Sequence, residues 1–225
     1  EYPVSEQPEY LEVVEAPCGY RGRYRYEEPG FGRAYAAAVD EGIDRLAERQ
    51  YRPSMLISDN IFSSNGVFKP PPEYLQETYR RVRSAGGLSV EDEVQSGLCR
   101  LGDHMRGFMD SEVVPDILTM GKPMGDGHPL AAVVTTPEIA AQFAQKYDYF
   151  NTFGGNPVSA AVGLAVLDVV ENEEILQNVK TVGDYLGDGL RKLGEQHELI
   201  GDVRGKGLFF GLELVRDRET REPAD

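Results

Sequence analysis

Short apolar runs alternate with stretches of helical period along most of this chain, and that alternation limits the fold more than any other feature. Residues 55–57 read as a buried strand, and 88–90, 117–120 and 131–135 as further strands. Between them Tyr35, Ala38, Val39, Gly42, Ile43 and Leu46 form a helical stripe. Three prolines (Pro70, Pro71, Pro72) precede a helix that starts near Glu73, carries Tyr74, Leu75, Tyr79 and Val82, and stops at Gly86-Gly87. Thr136-Pro137 and Asn156-Pro157 each pair a polar cap with proline at the first helical position. The second of these helices is rich in Ala and Val and is expected to be buried. Ile175, Val179, Val182, Leu186, Leu190 and Leu193 mark a longer amphipathic helix, and strands at 199–203 and 208–215 follow it. The first thirty or so residues read as irregular, with a short strand at 11–14. Alternating strands and helices predict an α/β fold with a mostly parallel sheet. In such sheets ligands bind beyond the carboxyl ends of the strands.

Composition sets the outer limits. A length of 225 residues allows one large domain, or one domain plus part of a second. The formal charge of −15 argues against a nucleic-acid partner, whose phosphates need a basic face. Cys18 and Cys99 have no ligand spacing, so the reading is a reducing compartment, with the cytoplasm as the default. No apolar stretch approaches membrane-spanning length. The chain opens at Glu1 without methionine and stops at Asp225 in a charged run, and both ends are expected to be cut.

Four motifs fall at strand ends or turns. Asp92-Glu93-Val94-Gln95 follows the strand at 88–90, a pattern that a solvated strand end or a carboxylate pair would share. Lys122 sits between glycines directly after the strand at 117–120, where partial desolvation would make it an amine nucleophile. Pro123 after it, and Asp116 where a phosphate loop needs glycine, exclude that loop. Asn151-Thr152-Phe153-Gly154-Gly155-Asn156-Pro157 is a glycine turn that feeds a helix N-terminus, a natural anion site. Arg204, among small residues in Gly201-Asp202-Val203-Arg204-Gly205-Lys206-Gly207, can grip a carboxylate in bidentate fashion. A solvated loop lysine, a plain capped turn and a surface arginine are the blander readings of the last three.

Taken in order, DEVQ-G--R-G, VVPDI-TMGK-MG-GHP, FNTFGGNPVS and GDVRGKGL-FGLEL resemble the class III aminotransferases, pyridoxal-phosphate (PLP) enzymes. Within that family the chain is most similar to the branch of alanine–glyoxylate aminotransferase 2-like proteins and ethanolamine-phosphate phospho-lyase. The resemblance implies a fold-type I PLP-dependent transferase. Residues 1–175 would be the later, partial share of the large domain with its mostly parallel sheet, and 176–225 the start of the C-terminal α+β small domain. It implies that Lys122 forms the Schiff base and then moves the proton. Asp92 would pair with the pyridinium nitrogen, Val94 would pack on the ring and Gln95 would bond to its hydroxyl. Thr152 would reach the cofactor phosphate of a partner subunit, which implies a homodimer, and Arg204 would bind the substrate carboxylate. Ser64 stands where many members carry a glutamate that gates the arginine. The family's phosphate-cupping Gly-Ser turn and ring-stacking aromatic do not occur in this chain, so a complete site is not expected from it alone.

The implied activity is a PLP-dependent transaminase that moves an amino group from an amine or amino acid to a 2-oxo acid. The alternatives are a PLP-dependent lyase that eliminates phosphate from a phosphorylated amine, and a non-catalytic domain derived from the family. The implied partners are small-molecule substrates, with neither nucleic acid nor membrane.

Overall fold

β1 (Met55–Ser58), β2 (Leu88–Asp92) and β3 (Ile117–Met120) lie side by side and parallel in the computed structural model, which describes residues 7–224. β4 (Ala132–Thr135) adds to β3 in the antiparallel sense and completes a sheet in the order β1-β2-β3-β4. The expected mostly parallel sheet is therefore present, with one reversed edge. Asp116 sets the register between β2 and β3: its Oδ2 accepts from Ser89 N and Ser89 Oγ, each at 2.7 Å, and from Arg83 Nε at 3.0 Å. Burial works against this carboxylate, but Arg83 and Ser89 hold it below the ordinary range.

α1 (Phe31–Glu48) and α2 (Pro72–Ser84) pack on each other around Phe31, Tyr35, Tyr74, Leu75 and Tyr79. The rings of Phe31 and Tyr35 meet edge to face at 5.2 Å, as do those of Tyr24 and Tyr35. Each such pair contributes about 0.5–1.5 kcal/mol beyond its buried area. The proline break predicted before α2 takes the form of Pro71 as cap and Pro72 as the first helical residue. Residues 11–14 form no strand. That segment lies against α1, where Glu12 binds Arg49 and, at 2.8 Å, Arg45, so ion pairs replace a ladder. The irregular reading of residues 1–6 falls outside the described residues.

α3 (Pro137–Lys146) and α4 (Pro157–Asn172) start at their expected caps: Thr136 Oγ1 accepts from Ile139 N at 3.4 Å and Asn156 Oδ1 from Ser159 N at 2.9 Å. The expectation that α4 is buried is overturned. Ser159 is its one buried residue, while Val158 and Leu164 are each 64% exposed. The composition asks for a cover that the described residues do not supply.

α5 (Ile175–Gln196) lies on a second, antiparallel sheet of β5 (Ile200–Lys206), β6 (Phe209–Asp217) and β7 (Glu222–Pro223). Here the predicted stripe needs correction. Val179, Gly183 and Gly187 face inward, whereas Val182, Leu186 and Leu193 are exposed. The close approach of backbone decides the facing, because a Cβ on Gly183 would meet Gly207 O at 2.5 Å and one on Gly187 would meet the Phe210 ring at 2.8 Å. Gly183→Val should therefore cost about 1–3 kcal/mol by overpacking, lowering Tm by about 2–4 °C per kcal/mol in a chain of this size. Gly189→Ala, on the open side of the same helix, should be neutral or stabilising. Equal thermal shifts for the two variants would contradict this packing.

Candidate active site

Parallel pairing of β2 and β3 brings their carboxyl ends together, and the residues after them share one opening. Asp92 closes β2 and Lys122 follows β3 by one residue, since Asp92 pairs with Thr119 in the ladder. A cleft of about 410 Å³ is lined by Asp92, Val94, Gln95 and Lys122, with residues 57–59 and 63–65 on its other wall. Four of the sequence-predicted residues thus meet in one place. Ser64 belongs to the same lining.

Each side chain has a local support. Asp92 Oδ1 accepts from Val94 N at 2.9 Å, so the chain's own turn aims the carboxylate. Gln95 Nε2 donates to Ser63 Oγ at 3.1 Å, and Ser63 donates onward to Asp59. Asp59 also accepts from the backbone N–H of Ile61 at 3.0 Å and of Ser63 at 2.8 Å, which fixes the wall that carries Ser63 and Ser64. Val94 packs against Gly121, where a Cβ would lie 3.3 Å from its methyl group. Lys122 opens a short 3₁₀ turn with φ of 31°, in the left-handed region that is costly for a residue with a Cβ. Its side chain is exposed rather than partly desolvated, because nothing among the described residues covers that mouth of the sheet.

Thr152 and Arg204 stand apart from this cleft. Thr152 is exposed in a turn built on Asn151, whose Oδ1 accepts from Phe153 N at 3.1 Å and Gly154 N at 2.9 Å. The loop beyond Lys122 reaches the start of α4 through His128, whose Nε2 lies 2.8 Å from Ser159 Oγ. Arg204 lies within β5 and is already engaged. It donates to Gly66 O at 2.6 Å, Asp202 at 3.1 Å and Glu213 at 2.6 Å, with its guanidinium over the Phe68 ring at 5.0 Å. The expected free carboxylate clamp is therefore not what this structure presents. The two acids satisfy the charge, and the guanidinium ties β5 to the segment before Phe68 instead.

Sequence reading passed over Glu91 and weighed Glu93 only as half of a carboxylate pair with Asp92. Strand alternation sends Glu91 to the opposite face, where Ser58 Oγ donates to it at 2.9 Å and the Tyr79 hydroxyl also donates. Burial pushes the Glu91 carboxyl up to about 8 despite those two donors. Glu93 accepts from Phe108 N at 2.7 Å and Asn60 Nδ2 at 3.1 Å, and burial raises it as well. The signal was legible in principle: three consecutive acids cannot all point to solvent from a central strand.

The donor set fits pyridoxal phosphate. It offers an amine, a carboxylate fixed by a backbone N–H, an amide and an apolar face in one cleft. An alanine–glyoxylate aminotransferase 2-like protein of Drosophila melanogaster is 43% identical over 221 residues, covering 96% of this chain and 45% of the relative. A solved phospholyase from Arthrobacter, in complex with phosphoethanolamine, superposes with a TM-score of 0.83 at 41% identity, covering 87% of this chain and 46% of that one. An amine transaminase from an uncultivated Pseudomonas species, in its PLP-bound form, superposes with a TM-score of 0.86 at 32% identity, covering 94% and 49%. The chain spans about half the length of such relatives. With residues 23–224 matching its sequence profile, this chain belongs to the aminotransferase class-III family.

Proposed function

We propose that this chain carries the lysine-bearing half of a PLP-dependent transaminase site, with Lys122 as the residue that holds the cofactor. The observation that carries the reading is the convergence of Lys122, Asp92, Val94 and Gln95 on one cleft at the carboxyl ends of adjacent parallel strands. When bound, pyridoxal phosphate supplies an electrophilic carbonyl and a ring that accepts electrons. Asp92, aimed by Val94 N, would keep a proton on the ring nitrogen. Val94 would pack on the ring, and Gln95, steadied through Ser63 and Asp59, would reach the ring hydroxyl. The Lys122 amine, released by the incoming substrate amine, would take the proton from the substrate Cα as general base and return it. The substrates would be an amine or amino acid and a 2-oxo acid.

The exposed Thr152 turn and the uncovered α4 favour a homodimer, with Thr152 facing the partner subunit's cofactor phosphate. The break between α4 and α5 favours a domain boundary near residue 175.

Borohydride reduction in the presence of PLP, followed by peptide mass mapping, tests the central claim. It is applied to this chain and to a form extended to the length of its relatives. A phosphopyridoxyl label on Lys122 in the extended form is the expected result. Absence of label from Lys122 in both forms would instead favour a non-catalytic domain.

The similarity to a phospholyase crystallised with phosphoethanolamine favours a second reading, phosphate elimination from a phosphorylated amine. Product analysis separates the two. Elimination releases phosphate with no carbonyl acceptor, whereas transamination stalls without one.

A further inference from the structure

Glu93 follows β2 directly and lines none of the clefts that hold Lys122. It is nevertheless tied to the segments that build the site. Its N–H donates to Thr119 O at 2.9 Å, three residues before Lys122. Its carbonyl accepts from Gly97 N at 3.2 Å and closes the turn that carries Val94 and Gln95. Its carboxylate accepts from Phe108 N at 2.7 Å, in the 3₁₀ turn at Gly107–Ser111, and from Asn60 Nδ2 at 3.1 Å. Glu93 is 1% exposed and Asn60 0%.

Asn60 belongs to the facing wall of the cleft. Residues 59–65 are braced among themselves by the Asp59 carboxylate, by Phe62 N donating to Asp59 O at 3.1 Å and by Asn65 N donating to Phe62 O at 3.0 Å, so they hold together as one unit. Among the described residues, two side-chain hydrogen bonds join this unit to the residues after β2: Gln95 to Ser63, in the cleft, and Asn60 to Glu93, buried away from it. The buried tie has no slack. A Cβ on Gly107 would meet Asn60 Nδ2 at 2.5 Å, and one on Gly97 would meet Glu93 Oε2 at 3.1 Å. Out of water such a bond is strong, and cutting it strands a polar group.

Resting on the proposed function above, we infer that Glu93 is a positioning residue. By holding Asn60 it sets the gap between the two walls of the cleft, and with it the Gln95–Ser63 bond that aims Gln95 at the ring hydroxyl of the cofactor. Glu93 thus acts through hydrogen bonds and through Gln95, not as a second proton carrier beside Asp92.

The test uses the form extended to the length of the relatives and reads the dissociation constant of PLP, by equilibrium dialysis and by the absorbance of the bound cofactor, with no turnover required. Gln95→Ala should weaken binding about 10-fold, the worth of one hydrogen bond. Glu93→Ala and Asn60→Ala should each do the same in the wild-type background, and should add less than about 2-fold on top of Gln95→Ala. Glu93→Gln should bind within about 2-fold of wild type, because its amide oxygen still accepts from Asn60 Nδ2 and Phe108 N.

Losses that persist undiminished in the Gln95→Ala background overturn the assignment, because they mark a contribution to packing that does not pass through Gln95. Glu93→Gln protein that binds as weakly as Glu93→Ala also overturns it, since charge rather than the hydrogen bonds would then be responsible. If Glu93→Ala does not fold, Asn60→Ala carries the same comparison, and an unchanged constant there decides against Glu93. Failure of the wild-type protein to bind PLP removes the proposed function and the Glu93 assignment with it. Binding by the wild-type protein with unaltered constants in Glu93→Ala and Asn60→Ala removes Glu93 alone.

Discussion

Lys122→Ala, made in the form extended to the length of its relatives, should abolish the borohydride-trapped label and reduce turnover by at least about 10³-fold, within the range for a positioned proton-transfer group and increased by loss of the covalent anchor. The label should not migrate to another lysine. Lys69, Lys180 and Lys206 are tied to Asp103 and Asp110 by ion pairs of 2.5–3.0 Å. Lys146 ends α3 and Lys192 lies in α5, and neither lines a cleft with Asp92. Lys122 alone combines an unengaged amine with the carboxylate, the amide and the left-handed backbone of the cleft. Absorbance of the bound cofactor and peptide mapping of the reduced protein check this without a substrate in hand. A phosphopyridoxyl label of undiminished yield on any other lysine of the variant would remove Lys122 from its assigned place. Asp92→Asn is a graded companion, since the amide oxygen can still accept from Val94 N while the negative charge is gone. It should retain the label and lose turnover.

The legible parts of this molecule were those fixed locally. Pro72, Thr136 and Asn156 announce helix starts because caps and prolines act within one turn. The strand ends that present Asp92 and Lys122 followed from apolar runs ending in polar residues. What stayed hidden depends on distant neighbours. The facing of α5 is set by Gly207 and Phe210, whose backbone and ring admit only glycine opposite them. The exposure of α4 follows from the absence of any covering surface among the described residues, which its Ala- and Val-rich sequence does not announce. Arg204 looked available because its neighbours are small residues, yet Asp202, two residues back on β5, and Glu213, across the β5–β6 ladder, both reach it.

Glu91→Gln should remove a pH dependence of stability that the wild-type protein carries between about pH 4.5 and 8. The folded carboxyl is pushed up to about 8 from an ordinary value of 4.5, chiefly by burial. Through that interval the folded state holds one proton more than the unfolded state, so stability falls as pH rises, by about 1.4 kcal/mol per unit. The contribution is fully present below pH 4.5 and is lost by pH 8, on the order of 5 kcal/mol in all. Burial of Glu93 acts in the same direction. Asp103 acts oppositely and lower on the scale: hydrogen bonds from Lys180 and Lys206 pull it down to about 2, so its contribution disappears only in acid. Glutamine keeps an acceptor for the Ser58 and Tyr79 hydroxyls but cannot ionise, so the variant's urea midpoint should fall less from pH 5 to pH 8. Glu91→Ala should be less stable at both pH values, because two buried hydroxyls lose their acceptor at about 1–3 kcal/mol for each unsatisfied group. Parallel pH profiles for wild-type and Glu91→Gln protein would mean that the buried carboxylate is charged at neutral pH. Ser58 and Tyr79 would then stabilise an anion one residue from Asp92, and the electrostatic field at the carboxyl end of β2 would be more negative than a neutral Glu91 allows.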